Sequence, residues 1–345
     1  MADYWPVRLE HPNLPDGVSE VSIEVRPLED FIHNFLEKGV TTWGQHAMRL
    51  HELPSEYRGK GIIVTLIDAG VNAAHPDLKG AICGGKDFTH AGTSLWECDA
   101  TGNGTACAGV IASADNGTGI TGIAPESQIQ SLKLYPGGRI SDLLKAMDWC
   151  LAHGTDVVQV NLSYPNPSWL IALKIRDLHT AGIVAIAPVG DTGGHVTFLA
   201  AVPGVLAVTA LAHSNSSWVA PRNGQQTAGV LYTPSYAPTV PGADLAAPGT
   251  NILTTAGESS YTTVDGTALA AAHITALSAL ALAHHPGLRN QTRTFTRLHH
   301  LHSVLTTSSV PVTASHVTGR GIPDAARVVG MRPLFPQTPP ISLQG

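Results

Sequence analysis

The pattern of apolar and polar positions changes character at Gly61. Before it, apolar residues are scattered among prolines and charges, and the one periodic stretch, Leu28 to Leu36, opens on acidic residues and predicts a short helix. From Ile62 to Ile67 the chain is an unbroken, largely β-branched apolar run that stops at Asp68-Ala69-Gly70. That is the pattern of a parallel strand buried on both faces. Similar runs follow at Ile129 to Leu134, Val157 to Leu162, Ile183 to Val189 and Val205 to Ala210. Helical periodicity separates them at Gly104 to Ala114, Ile140 to His153 and Ser168 to Ala181. Strands alternating with helices of this length predict an α/β fold: a doubly wound, mostly parallel sheet with helices on both faces and right-handed crossovers. In such sheets the functional cleft lies beyond the carboxyl ends of the strands. No internal repeat is visible and nothing divides residues 43–330, so the expected parts are an extension at 1–42, one domain at 43–330, and a proline-rich, extended tail at 331–345.

Composition narrows the class. Of 345 residues, 43% are hydrophobic and 13% charged, which excludes a disordered chain and supplies a large core. A net charge of −6 with no basic run argues against a nucleic-acid partner. The longest apolar stretch, Ile274 to Ala283, falls short of the roughly 18–20 residues of a membrane span, so no membrane partner is expected. The N-terminus has neither a basic start nor an apolar core, which reads as a cytoplasmic protein. Cys83, Cys98, Cys107 and Cys150 are too scattered for a disulfide framework, and reduced thiols are the expected state. His299, His300 and His302 share a helix-like stretch without matching acidic residues, a poor metal set.

Several segments then fall in a telling order. Residues 61–78 read GIIVTLIDAGVNAAHPDL, residues 101–109 TGNGTACAG, and residues 265–274 DGTALAAAHI. Between and beyond them stand GITGIAPESQI at 119–129, DVVQVNLS at 156–163, DLAAPGTNILTT at 244–255 and GRGIPDAARVV at 319–329. Together these resemble the landmarks of the subtilisin-like serine proteases, in register over about residues 43–330. The resemblance implies the subtilisin-like α/β fold. It places the catalytic aspartate at Asp68, the histidine at Asn103 (in the segment that normally reads GHGTHVAG) and the nucleophilic serine at Ala268 (in GTSxAAPHV). The oxyanion-hole asparagine falls on Asp191.

The chemistry those positions would need is missing. A serine hydroxyl attacks only when a base takes its proton, and a carboxylate must hold that base in one tautomer. The amide of Asn103 cannot accept and return a proton, Ala268 has no nucleophilic atom, and a charged Asp191 would repel an oxyanion. Ala272 replaces the proline after the serine motif, and Ala69 follows Asp68 where serine or threonine is common. So many departures on one machine point to natural decay rather than to a serine endopeptidase captured as an active-site mutant. Cys107 is expected to pack as a core thiol, and His75 and His273 to be structural. Asp68 and Asp191 could together do acid–base work; the plainer reading has Asp68 bonded to Asn103 and Asp191 solvated.

The resemblance further implies a loop closed by Ca²⁺, held by the side chains of Asp77 and Asn116 and the carbonyls of Ala114, Thr118 and Ile120, all hard oxygen donors. An Asn-Gly turn closed without metal fits the same residues. In the family, peptide adds as a strand beside the segment that is here Val160, Asn161, Leu162 and Ser163. Ser163 stands where glycine normally lets substrate lie close, and Tyr164 and Trp169 could line a rebuilt pocket. The expected function is therefore that of a pseudoprotease holding a peptide or protein segment in the former substrate groove, or pairing with an active protease or other enzyme partner. A third arrangement has the extensions at 1–42 and 331–345 fill the cleft themselves.

Overall fold

A computed structural model describes residues 19–20 and 24–26 (backbone), 40–89, 95–163, 167–213, 231–238, 240–312 and 315–334. The expected helix at 28–36, Tyr164 and the end of the tail lie outside these residues. In chain order the strands are β1 (Ser19–Glu20), β2 (Glu24–Arg26), β3 (Ile63–Asp68), β4 (Ile82–Asp87), β5 (Gln128–Lys133), β6 (Val157–Val160), β7 (Leu162–Ser163), β8 (Val184–Pro188), β9 (Val205–His213), β10 (Leu231–Tyr232), β11 (Leu245–Pro248), β12 (Ile252–Ala256) and β13 (Ser260–Asp265). The principal helices are α1 (Trp43–Ala47), α2 (Asn103–Ala112), α3 (Ile140–Ala152), α4 (Trp169–Thr180), α5 (Thr267–His284) and α6 (Phe295–Thr307).

The main sheet runs in the order β10-β9-β8-β6-β3-β5-β4, with β11 also on β9. Every pairing in it is parallel except that of β10 with β9. The α/β expectation therefore holds, and each βα segment named from periodicity is present to within a few residues. The centre is β3, bonded to β5 from Ile63↔Gln128 to Asp68↔Lys133 and to β6 from Val64↔Val157 to Ile67↔Val160. Apolar residues fill both faces. One cluster joins the sheet to α2 and α5; a second joins it to α3 and α4.

Two expectations need correction. The apolar stretch in α5 is short in sequence, yet the helix runs 18 residues without Asp, Glu, Lys or Arg, enough by length and composition to cross a membrane. Its residues from Thr267 to Leu282 are all buried in protein, so it is a central core helix. Leu269, Leu277 and Leu280 are fully covered, each contributing roughly 1.5–3 kcal/mol of transfer free energy. The run from Val157 to Leu162 is also not one strand: β6 ends at Val160, and β7 leaves the main sheet to pair with β1.

Candidate active site

Asp68 ends β3, Asn103 opens α2 and Ala268 is the second residue of α5, so three separate elements deliver them to the carboxyl end of the sheet. The start of α2 is fixed by Asp99. Its Oδ1 accepts the amides of Thr101 (3.1 Å) and Gly102 (2.9 Å), and its Oδ2 accepts the amide and hydroxyl of Thr105 (2.7 and 2.6 Å). These bonds satisfy donors that a helix start leaves open. Gly102 precedes the helix at φ +85°, a left-handed conformation that glycine adopts at no steric cost. Gly104 permits the close approach of helix to strand: a Cβ there would stand 2.0 Å from the carbonyl oxygen of Gly70 and 3.4 Å from Cβ of Asp68.

All three residues are buried. The Asp68 carboxylate accepts the Ala69 amide at 2.6 Å and the Asn103 Nδ2 at 3.2 and 3.4 Å. A further donor comes from Asn161, whose Nδ2 lies 2.6 Å from Asp68 Oδ2. Asn161 was expected as a wall of the groove. It is instead fully buried, because the break between β6 and β7 turns its amide inward. Gln159 completes the cluster: its Nε2 donates to Asn161 Oδ1 (2.8 Å) and to the backbone oxygen of Ala268 (3.0 Å). Gln159 was missed, although a lone polar residue inside the run Val157-Val158-Gln159-Val160 is itself a signal, since a buried amide requires partners.

Cys107, the one nucleophile in the cluster, lies 3.6 Å from the Ala268 oxygen and 3.9 Å from Asn103 Oδ1, and accepts from Asn161 Nδ2 at 3.4 Å. Burial, then the Asp68 charge, pushes its thiol well above the ordinary range. It stays protonated, as a core thiol does.

Asp191 departs from expectation. Its Oδ1 accepts the Thr267 amide at 2.8 Å, while Oδ2 is buried with no partner. The carboxyl is therefore not solvated, though part of the residue's surface still meets water. Burial foremost, with some help from the Asp265 charge, raises its pKa to about 7. Asp68 and Asp191 are thus each engaged with their own amide donors. At Ala268 the side chain is a methyl, with no hydroxyl for either carboxyl to activate.

Residues 59–327 match the family model described as the subtilase family, peptidase S8. The chain belongs to the subtilase family. Subtilisin DY of Bacillus licheniformis is 29% identical over 240 residues, 67% of this chain and 80% of that protein. Subtilisin E of Bacillus subtilis is 28% identical over 242 residues, 68% of this chain and 58% of that one. Fervidolysin from Fervidobacterium pennivorans, a keratinolytic enzyme related to subtilisin, superposes with a TM-score of 0.75 at 22% identity, covering 93% of this chain and 52% of its own, a likeness of fold.

The subtilase loop named as a calcium site is closed by the protein's own donors. Asp77 Oδ2 accepts the Ile120 amide (3.0 Å) and the Tyr261 hydroxyl (2.9 Å), and Oδ1 accepts Asn116 Nδ2 (3.3 Å). The Asn116 carbonyl turns to the Thr118 amide (2.9 Å) and hydroxyl (2.8 Å), while the Asp77 carbonyl takes the Ala114 amide (2.8 Å). Calcium needs six to eight oxygens presenting lone pairs. Here hydrogens point at the Asp77 carboxylate and the Asn116 carbonyl, so these two side chains as arranged do not present free lone pairs to the ion. Tyr261, from β13, was not foreseen because it is remote in sequence.

His75 is buried, with Nε2 2.9 Å from the Ser260 oxygen and Nδ1 accepting the Asp77 amide at 3.2 Å. His273 is buried against α1; Nδ1 meets the Leu269 oxygen at 2.8 Å, and burial lowers its pKa to about 4. On α6, His299 faces His179 while His300 faces His285, and among the described residues no three His, Cys, Asp or Glu converge as metal ligands. The four cysteines are free thiols. Trp169 is 69% exposed, so it lines no closed pocket.

Proposed function

We infer that this subtilase is a pseudoprotease whose cleft holds extended peptide backbone without cutting it. The observation that carries the reading is the Asp68 carboxylate. In a working enzyme it would orient an imidazole; here it is shared between the amides of Asn103 and Asn161, with the methyl of Ala268 where a hydroxyl would be. Amides neither accept nor return a proton near neutral pH, and Ala268 carries no nucleophilic atom. The 2.6 Å bond from Asn161 supports natural decay over recent replacement of a single residue, because it gives Asp68 a partner that an imidazole does not need. Backbone edges survive the loss, and strand addition needs only those.

Incubation with a diverse peptide mixture, followed by mass spectrometry for new termini, tests the inference. No new termini are expected, either from the chain as it stands or from Ala268→Ser alone, since the serine would still lack a base. Cleavage that resists serine-protease inhibitors and disappears in Asp68→Ala would overturn the reading and show a different mechanism.

A further inference from the structure

The surface turn that follows α2 holds the pair Asn116-Gly117, and both residues are exposed. In such a pair the side-chain carbonyl carbon and the next backbone nitrogen can close into a succinimide ring, and glycine has no Cβ to obstruct the closure. A Cβ at Gly117 would meet no heavy atom within 4 Å, so the space around the ring is open. The Gly117 amide has no hydrogen-bond partner among the described residues, which leaves its nitrogen uncommitted.

The fold also prepares the electrophile. Asn116 Oδ1 accepts the Thr118 amide at 2.9 Å and the Thr118 hydroxyl at 2.8 Å. Two donors on one carbonyl oxygen draw electron density from Cγ and stand where negative charge develops on attack. The departing nitrogen is held loosely: Nδ2 reaches Asp77 Oδ1 at 3.3 Å, longer than most N–H···O bonds. The same dipeptide at Asn103-Gly104 lacks these features. Both of its residues are buried in the first turn of α2, and Asn103 Nδ2 is shared between the two oxygens of Asp68. Asn103 Oδ1 faces only the weak Cys107 thiol donor, at 3.9 Å. Ring closure there would also have to pull Gly104 out of the helix. A third pair, Asn223-Gly224, lies outside the described residues.

We propose that Asn116 is a self-modifying site, deamidated by the Gly117 nitrogen under activation by Thr118, with water the only co-reactant. The Gly117 nitrogen bonds to Asn116 Cγ as its proton passes to solvent. The Cγ–Nδ2 bond breaks, and the nitrogen takes up a proton and leaves as ammonia. Water then opens the succinimide at Cγ, giving aspartate, or at the main-chain carbonyl carbon, giving isoaspartate with the backbone rerouted through the side chain. No electrons are gained or lost. Either product puts a carboxylate where an amide donor stood. Asp77, itself 1% exposed, then meets a like charge while still holding the Ile120 amide and the Tyr261 hydroxyl. The turn and its tie to β13 therefore loosen together. The inference is independent of whether the cleft holds peptide.

The test follows the full chain during prolonged incubation at neutral pH. Endoproteinase Asp-N cuts before Asp99 and Asp115, so Asn103-Gly104 and Asn116-Gly117 fall in different fragments of one digest. Mass spectrometry scores amide-to-acid conversion in each fragment, and isoaspartyl methyltransferase labelling scores the isoaspartate. A synthetic peptide of residues 112–122 gives the rate without the fold. Conversion at Asn116 is expected to be at least about tenfold faster than at Asn103, and no slower than in the peptide, because the reacting groups are already held together. Thr118→Val should slow it severalfold in the folded chain and leave the matching peptide unchanged. Conversion slower in the folded chain than in the peptide, or indifferent to Thr118→Val, would overturn the proposal. Asn116→Asp reads the consequence: it should unfold at a lower urea concentration than the unaltered chain at pH 7, and an equal midpoint would refute the loosening around Asp77.

Discussion

Replacing Asp191 by asparagine should make stability diverge from that of the unaltered protein as pH rises. Asp191 Oδ2 is buried without a partner, so the folded state prefers the neutral carboxyl. Its pKa stands at about 7 against 3.8 in an unperturbed chain. The sign follows from proton counting. Between pH 3.8 and about 7 the folded protein holds a proton that the unfolded chain has released, so raising pH through that window favours unfolding. A separation of roughly three pH units, at 1.36 kcal/mol each, gives about 4 kcal/mol as the upper limit of the loss. Asparagine keeps the oxygen that accepts the Thr267 amide and carries no charge at any pH. Asp191→Asn should therefore match the unaltered protein near pH 4 and exceed its stability progressively up to pH 7, with a constant excess above that. Urea unfolding of both proteins at pH 4.5, 6 and 8 measures it. Taking the difference matters, because His273, with its pKa lowered to about 4, contributes the opposite slope between pH 4 and 6.5 in both proteins and cancels. A difference that is flat across the three pH values would refute the buried, proton-holding Asp191.

Other outcomes follow from the same site. Asp68→Ala removes the acceptor for the Ala69, Asn103 and Asn161 donors in a buried cluster and should cost about 3 kcal/mol or more in chemical denaturation, which a residue kept only for lost catalysis would not. Gly104→Ala gains about 1 kcal/mol of helix propensity but drives a methyl onto the Gly70 carbonyl oxygen. A net loss of roughly 1–2 kcal/mol in thermal or urea unfolding is expected. Because Tyr261 and Ile120 supply donors to Asp77, EDTA should leave the melting temperature unchanged, whereas Tyr261→Phe should lower stability by about 1 kcal/mol. A clear fall in melting temperature on chelation would restore the calcium reading.

Much of the framework was readable along the chain because parallel strands buried on both faces need unbroken apolar runs, and the helices between them need one apolar face. The runs that became β3, β5, β8 and β9 carry that requirement in consecutive residues. So do the motif segments around Asp68, Asn103 and Ala268, whose types alone exclude a serine nucleophile with its base. The hidden part depends on pairs far apart in sequence. Whether Asn161 faces the groove or the interior follows from where β6 ends. Tyr261 closing on Asp77 and Thr267 on Asp191 are contacts that no local pattern encodes.

By itself, then, the sequence determined the α/β framework, the order of the motifs and the residue types at their key positions, since each is a property of residue type and local spacing. Only the tertiary structure decided what the altered residues do instead. It gathered Gln159, Asn161, Asn103 and Cys107 around Asp68, where buried amides and a thiol must satisfy one another. It buried Asp191 Oδ2 without a partner, turning the Asp191 carboxyl into a proton holder. It also paired β1 with β7 and β2 with β13, because a strand edge is completed by whatever extended chain the fold brings within reach.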